Sequence, residues 1–253
     1  MDKTKKTSVF AEGLSFKKLF FVFVIGCVFG DYYERIVNLI SHSWGGDYWF
    51  WERRSAVVYG PFSIIYGFGA VLIILAFIWF PNRIIKNRIA KNAKTTATED
   101  SIKADPNTTP LPWWQLFLFG GLLCGAFEYI LGVLQEIFTG TSSWNYSDHW
   151  LNINGKTSPY VMLIWGLICL GFAKYAYPVL SRWIEKIPSK IGDVIFWVLL
   201  VFLTLDMSLS LSVILRANLR HHNVPTFTPY GTFLDVTYPD ERIKKIYPNM
   251  VRL

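Results

Sequence analysis

The sequence predicts an all-α protein, a polytopic membrane helical bundle of about five transmembrane helices, and three observations carry that reading. Hydrophobic residues make up 52% of the 253 positions and charged residues only 17%, where a soluble domain is about a quarter charged. The mean hydropathy is +0.31. The apolar residues fall in five continuous runs, each long enough to cross ~30 Å of hydrocarbon as a helix, and continuity rather than alternation argues against a barrel.

The runs are Phe16–Ile40, Ala56–Phe80, Trp113–Phe138, Tyr160–Leu180 and Ile191–Leu215. They divide the chain into an N-terminal cytoplasmic segment (1–15), a first helix–loop–helix unit (16–80) and a basic cytoplasmic linker (81–112). A second helix–loop–helix unit (113–180), a fifth span (181–215) and a polar C-terminal tail (216–253) complete it. The lysines before Leu19 could begin a signal peptide, but Asp31, Glu34 and Arg35 stand where a small-residue cleavage site would be needed, so the first span is retained. Lys91–Pro112 is polar and reads as a flexible linker.

Charge sets the expected orientation. Lys3, Lys5, Lys6, Lys17 and Lys18 precede the first span, Arg83, Lys86, Arg88, Lys91, Lys94 and Lys103 fill the second connection, and Arg182, Lys186 and Lys190 the fourth. The first and third connections hold only Arg53, Arg54 and Lys156. The positive-inside rule therefore places the amino terminus in the cytoplasm of a multi-pass cell-membrane protein, with the C-terminal tail outside despite its basic residues. The net charge of +7 is thus a signature of topology and anionic headgroups, and nucleic acid is not expected as a partner. Cys27, Cys124 and Cys169 lie inside apolar runs with no paired spacing and read as small buried hydrophobes.

The first two spans resemble the next two. Cys27-x-x-Gly30-x-x-x-Glu34 parallels Cys124-Gly125-x-x-Glu128, the Trp44–Trp49 connection parallels Trp144–Trp150, and Ile64-Ile-Tyr66-Gly67 parallels Leu163-Ile-Trp165-Gly166. Glu34 and Glu128 are 94 residues apart, Trp44 and Trp144 100, and Tyr66 and Trp165 99. A parallel internal repeat of two helices, related by an axis along the membrane normal, predicts one composite site in which Glu34 and Glu128 face each other below two aromatic loops.

A charged side chain at mid-membrane costs about 3 kcal/mol on insertion scales, so such residues line cavities or pair internally. Asp31 and Arg35, four apart, are expected to form a structural ion pair. Glu34 and Glu128 lack such a partner on their own helices and either stay protonated by desolvation or find Arg53 or Arg54 of the outer loop. Glu136 lies at the membrane edge, and Asp206 and Ser210 share one face of the fifth span. Gly60-Pro61 and Gly67-Phe68-Gly69 interrupt the second span, as packing notches or as an unwound segment beside a substrate. Trp44, Trp49, Trp51, Trp144 and Trp150 fit an interfacial aromatic belt, while Trp144-Asn-Tyr146-Ser-Asp148 and Asn152-Ile-Asn154-Gly155 suggest an ordered loop.

The substrate or pathway candidates are accordingly Glu34, Glu128, Glu136, Asp206, Ser210, Tyr59, Tyr66, Trp144, Tyr146, Asp148, Asn152 and Asn154. Other motifs do not assemble. Asn154-Gly155-Lys156-Thr157 ends like a phosphate loop, but Trp150 occupies the place of its first glycine. His42, Asp47, Asp148 and His149 lack ligand spacing, and the adjacency of Ser147, Asp148 and His149 does not make a triad. No metal, cofactor or catalytic residue is assigned.

Several segments carry a family resemblance: Tyr59-Gly-Pro-Phe-Ser-Ile-Ile-Tyr-Gly-Phe-Gly69, Gly125-Ala-Phe-Glu128 through Glu136, Trp144-Asn-Tyr-Ser-Asp148, Asn152-Ile-Asn-Gly155, Trp165-Gly166 and the Asp206–Ser210 pair. In this order, over residues about 20 to 216, the chain resembles the ABC-transporter type IV (CmpB-like) family, known mainly from bacterial membrane proteins. It departs from the family pattern where Arg53-Arg54-Ser-Ala-Val-Val approaches Gly60, where Ile64 replaces a proline and where Asn145 replaces an aspartate. The resemblance implies a permease-like protein.

Three functions compete at this stage. The first is a transport component with a polar site between the repeats, working in the lipid bilayer with a separate ATPase subunit or by proton coupling, as a monomer or a homo-oligomer. The second is a membrane-embedded enzyme acting on outer-leaflet lipid or envelope precursors. The third is a non-catalytic assembly partner for another membrane protein.

Overall fold

Two helical hairpins and one longer helix form the bundle in a computed structural model that describes residues 9–42, 55–92 and 105–252. The first hairpin pairs α1 (Phe16–His42) with α2 (Ile64–Ile74), which continues through a π-helical turn at Leu75–Trp79 into α3 (Phe80–Asn92). The second pairs α4 (Trp113–Thr139) with α5 (Pro159–Gly171), which continues through a π turn at Phe172–Ala176 into α6 (Tyr177–Glu185). Helix α7 (Ser189–His221) follows, then α8 (Pro229–Thr237) and α9 (Asp240–Ile246). A minimal antiparallel pair, β1 (Thr141–Ser142) with β2 (Val251–Arg252), ties the chain end to the end of α4.

Among the described residues four helices are long and apolar enough to cross a membrane: Ile64–Ile89, Trp113–Thr139, Pro159–Glu185 and Ser189–His221. Helix α1, at 27 residues, equals α4 in length, but Lys17, Lys18, Asp31, Glu34 and Arg35 lie along it and it falls outside that set. The lipid-facing surfaces carry exposed Leu118, Leu122, Ile130, Leu167, Trp197, Val201 and Leu205, as expected where hydrocarbon is the solvent.

The second span begins later than its apolar run. Residues 55–63 are not helical, because Gly60 takes φ +76° and Pro61 has no amide hydrogen to give a helix. The same span runs beyond Phe80 to Asn92 although Pro81 lies in its path. Pro81 and Pro178 each stand two residues beyond a π turn, and that wider turn accommodates the proline ring. The Phe77 carbonyl, which a helical residue 81 would have bonded, accepts instead from Thr109 Oγ1 at 2.7 Å.

Both hairpins close through the same contacts. A Cβ on Gly67 would meet the Phe23 carbonyl oxygen at 2.7 Å, and one on Gly166 would meet the Phe117 carbonyl oxygen at 2.5 Å. Gly26 faces Ala70, and Gly120 faces Cys169. Small residues at crossings let helix backbones approach, which drives association where lipid removes the hydrophobic term.

Lys18 is not a simple topological charge. It is fully buried, ion-paired with Glu185, and donates to Ser181 Oγ at 2.7 Å and Asn107 Oδ1 at 3.4 Å. It thereby joins α1, α6 and the turn at 105–108, where Asp105 Oδ1 accepts from Asn107 N at 2.9 Å, so this end of the expected flexible linker is folded.

The expected polar tail is also folded. Leu234, Tyr238, Ile243 and Ile246 pack with Val58, Val213 and Ala217 in a second core. Arg216 grips Asp235 with both Nε and Nη2, at 2.8 and 2.7 Å, and Arg220 bridges Asp235 and Asp240. Three of the tail's basic residues (Arg216, Arg220 and Arg252) are thus matched by two carboxylates. Trp44, Trp49, Trp51, Arg53, Arg54, Lys3–Lys6, Lys94 and Lys103 lie outside the described residues.

Candidate functional site

A cavity of about 690 Å³ lies between the hairpins, lined by Glu34 from α1, Tyr66 from α2, Glu128 and Gln135 from α4, Trp144 and Tyr146 from the following loop, and Trp165 from α5. On α1, Glu34, Val37 and Asn38 share the lining face; on α4, Glu128, Leu131 and Gln135 do so at helical spacing.

The aromatic wall is set by backbone proximity. A Cβ on Gly30 would stand 2.3 Å from the Tyr66 ring, so only glycine leaves that ring its place. Tyr66 lies 5.9 Å from Tyr33 and 5.5 Å from Trp165, centroid to centroid. The two residues aligned by the sequence repeat, Tyr66 and Trp165, therefore meet each other.

Glu128 is 5% exposed. Its Oε1 accepts from Tyr146 Oη at 3.0 Å and its Oε2 from Trp165 Nε1 at 3.2 Å. Burial first, and then the Glu128 charge, push the Tyr146 hydroxyl well above the ordinary tyrosine value, so it remains a proton donor.

Tyr146 is held by an ordered loop. Its amide donates to the Gly155 carbonyl at 2.7 Å, and Asn152 Oδ1 accepts from Gly155 N at 3.0 Å. The Asn152 amide donates to the Ser147 and His149 carbonyls, and Asn145 Oδ1 accepts from Ser147 N. Gly155 takes φ +67°, and a Cβ there would lie 2.6 Å from Ser147 Oγ, so the loop requires glycine twice over. Trp144 Nε1 donates to the Lys156 carbonyl at 3.0 Å. His149 Nδ1 stands 3.1 Å from Ser158 Oγ, which also caps α5, and its ring lies between Tyr146 and Tyr160.

The sequence candidates divide accordingly. Glu34, Tyr66, Glu128, Trp144 and Tyr146 come together on the cavity. Asn152 and Asn154 shape the loop, the latter donating to Tyr129 Oη at 3.0 Å, and Asp148 is exposed. Glu136 pairs with Lys156 at 2.7 Å. Asp206, Ser210 and Tyr59 belong to a separate latch: Ser210 Oγ accepts from Val58 N at 2.8 Å, Asp206 Oδ1 from Tyr59 N at 3.1 Å, and the Tyr59 and Tyr238 hydroxyls lie 3.0 Å apart. Asp31 is fully buried, paired with Arg35 at 2.7 Å and accepting from Ser55 Oγ at 2.7 Å. Ser210 and Asp206 thus take up two backbone amides of the non-helical stretch 55–63, and Asp31 takes its Ser55 hydroxyl.

Sequence reasoning did not select Trp165, Gln135, Tyr33 or His149 as site residues. Trp165 had a signal, its alignment with Tyr66; Gln135 lies seven residues after Glu128 on the same helix face. Among the described residues no three metal-ligating side chains converge.

Fold and site together define an α-helical, membrane-embedded protein with an aromatic, carboxylate-bearing cavity between two hairpins. The chain belongs to the family described as Putative ABC-transporter type IV, whose profile matches residues 21–211. The match covers Glu34, Tyr66, Glu128 and Trp165 of the cavity and Tyr59, Asp206 and Ser210 of the latch, and stops short of α8, α9, Tyr238 and the cavity-lining Tyr247–Met250. No curated protein and no solved structure matches the chain.

Proposed function

We propose that the chain is a permease-type transport component of the cell membrane, whose solute path runs through the cavity between the hairpins. The observation that carries this is Glu128, a carboxyl buried among membrane helices yet lining an open cavity of about 690 Å³. A buried acid kept at such depth usually marks a solute or ion path, and family membership agrees with that reading. The two hairpins are copies of one helix–loop–helix unit, with Tyr66 and Trp165 as equivalent positions on either side of the path. The amino terminus faces the cytoplasm. An ATP-driven cycle requires a separate ATPase subunit, for which the exposed Arg83, Lys86 and Arg88 of α3 offer a basic docking face.

Solute profiling of cells tests the proposal. Mass spectrometry of intracellular solutes would compare cells with the native chain, cells lacking it, and cells carrying Ile164→Phe, a substitution on the cavity wall. The expected result is a shift in the same solute pool in the last two. An unchanged profile without the chain contradicts a transport role.

A further inference from the structure

We infer that the cavity takes an organic cation, its ammonium group set at the Glu128 carboxylate and its apolar body against the rings of Tyr66, Tyr146 and Trp165. The inference deepens the permease reading and rests on it, since it names the solute class for the same path.

Four features of the site lead there. The volume, about 690 Å³, suits a small organic molecule rather than a bare ion or a polymer. Glu128 lines the cavity, and among the described residues no lysine or arginine does. Both oxygens of Glu128 are held by neutral donors, Tyr146 and Trp165, so the carboxylate is positioned without a protein cation in its hydrogen bonds. The walls present tyrosine and tryptophan rings, whose negative faces attract cations and most strongly those too weakly hydrated to prefer water.

Alternative ligands fit less well. An anion would meet the Glu128 carboxylate and ring faces of the same sign. A small metal ion needs several oxygen or nitrogen ligands stripped of other bonds, whereas the Glu128 oxygens already accept hydrogen bonds and no metal-type cluster forms among the described residues. A neutral apolar solute would bury the carboxylate with no gain from it.

The test is equilibrium binding to the full-length chain in phosphatidylcholine nanodiscs, with empty discs subtracted. The probes are benzyltrimethylammonium, its uncharged carbon isostere neopentylbenzene, and the phenylacetate anion. The expected result is saturable binding of the cation, at least about tenfold tighter than the isostere, with no phenylacetate binding. Glu128→Gln should erase that preference while melting close to the native chain, and Ile164→Phe should remove binding of the cation altogether. If Glu128→Gln does not fold, the comparison of the three probes on the native chain decides the matter. Equal or tighter binding of the isostere or of phenylacetate, or no saturable binding of any probe, overturns the cation assignment. The cellular solute profile is independent of these outcomes: a profile that shifts while the cation fails leaves the permease reading standing, and one that does not shift removes that reading.

Discussion

The rings of Tyr66 and Trp165 meet at 5.5 Å, each near the start of the returning helix of its own hairpin, and Trp165 alone passes a hydrogen bond on to Glu128. The contact joins the hairpins at the cavity wall. It also makes the site asymmetric, because Tyr66, which the sequence aligns with Trp165, has no indole N–H to donate. One arm of the pair holds the buried acid and the other supplies an aromatic face.

Removing the acid should distinguish its charge from its hydrogen bonds. Glu128→Gln keeps one carbonyl acceptor for Trp165, and the Tyr146 hydroxyl can rotate to accept from the new amide. Glu128→Leu leaves both donors buried without an acceptor, costing about 3 kcal/mol or more. Thermal melting in nanodiscs should rank native and Gln close together and Leu well below both.

Glycine substitutions probe the hairpin crossings. A Cβ on Gly67 would meet Cys27 Sγ at 2.4 Å, and one on Gly166 the Phe117 carbonyl at 2.5 Å, so alanine at either position should destabilise by about 1–3 kcal/mol. Gly69 and Gly171 have nothing within 4 Å of a built Cβ. Alanine there should be neutral or stabilising by up to about 1 kcal/mol, because it lowers the conformational freedom lost on forming a helix. Matched losses at 67 and 166, read by the same melting assay, are also what duplicated hairpins require.

The latch at residues 55–63 should be visible by hydrogen exchange. Ser210 and Asp206 accept from the amides of Val58 and Tyr59, so Ser210→Ala or Asp206→Ala should speed exchange at those two amides about tenfold, corresponding to about 1–2 kcal/mol for each lost bond. Exchange in α4 should stay unchanged.

How much of this was legible in advance depended on whether the signal was local. Apolar runs marked the helices because hydrocarbon tolerates nothing else, and the spacing of Asp31 and Arg35 announced their pairing. The fold of the polar tail was not legible because composition hides periodicity: Leu234, Tyr238, Ile243 and Ile246 form a buried face among charges that cancel in pairs. Lys18 likewise looked like a topogenic charge, since its partner Glu185 lies 167 residues away. Asp206 and Ser210 were correctly grouped on one helix face, but only the fold reveals that they serve the backbone of residues 58 and 59 rather than the cavity.

Acid should loosen the C-terminal helices. The Arg216 hydrogen bonds, and after them Arg220, hold the Asp235 carboxyl down at about 2 against an ordinary 3.8. A carboxylate lowered in the folded state contributes stability that is complete above pH 3.8 and is lost as the pH falls toward 2. Pepsin should therefore cut within residues 229–246 increasingly from pH 4 to pH 2. Asp235→Asn should be cleaved there by a neutral protease already at pH 7.

A cryo-electron microscopy map of the chain purified from its native membrane into nanodiscs addresses the central claim most directly. The account predicts that the cavity is open and that non-protein density touches Glu128 and the Tyr66 and Trp165 rings, with that density absent in Ile164→Phe. A native map in which side chains close the cavity, or in which Glu128 is ion-paired to a protein cation with no room beside it, would contradict the account.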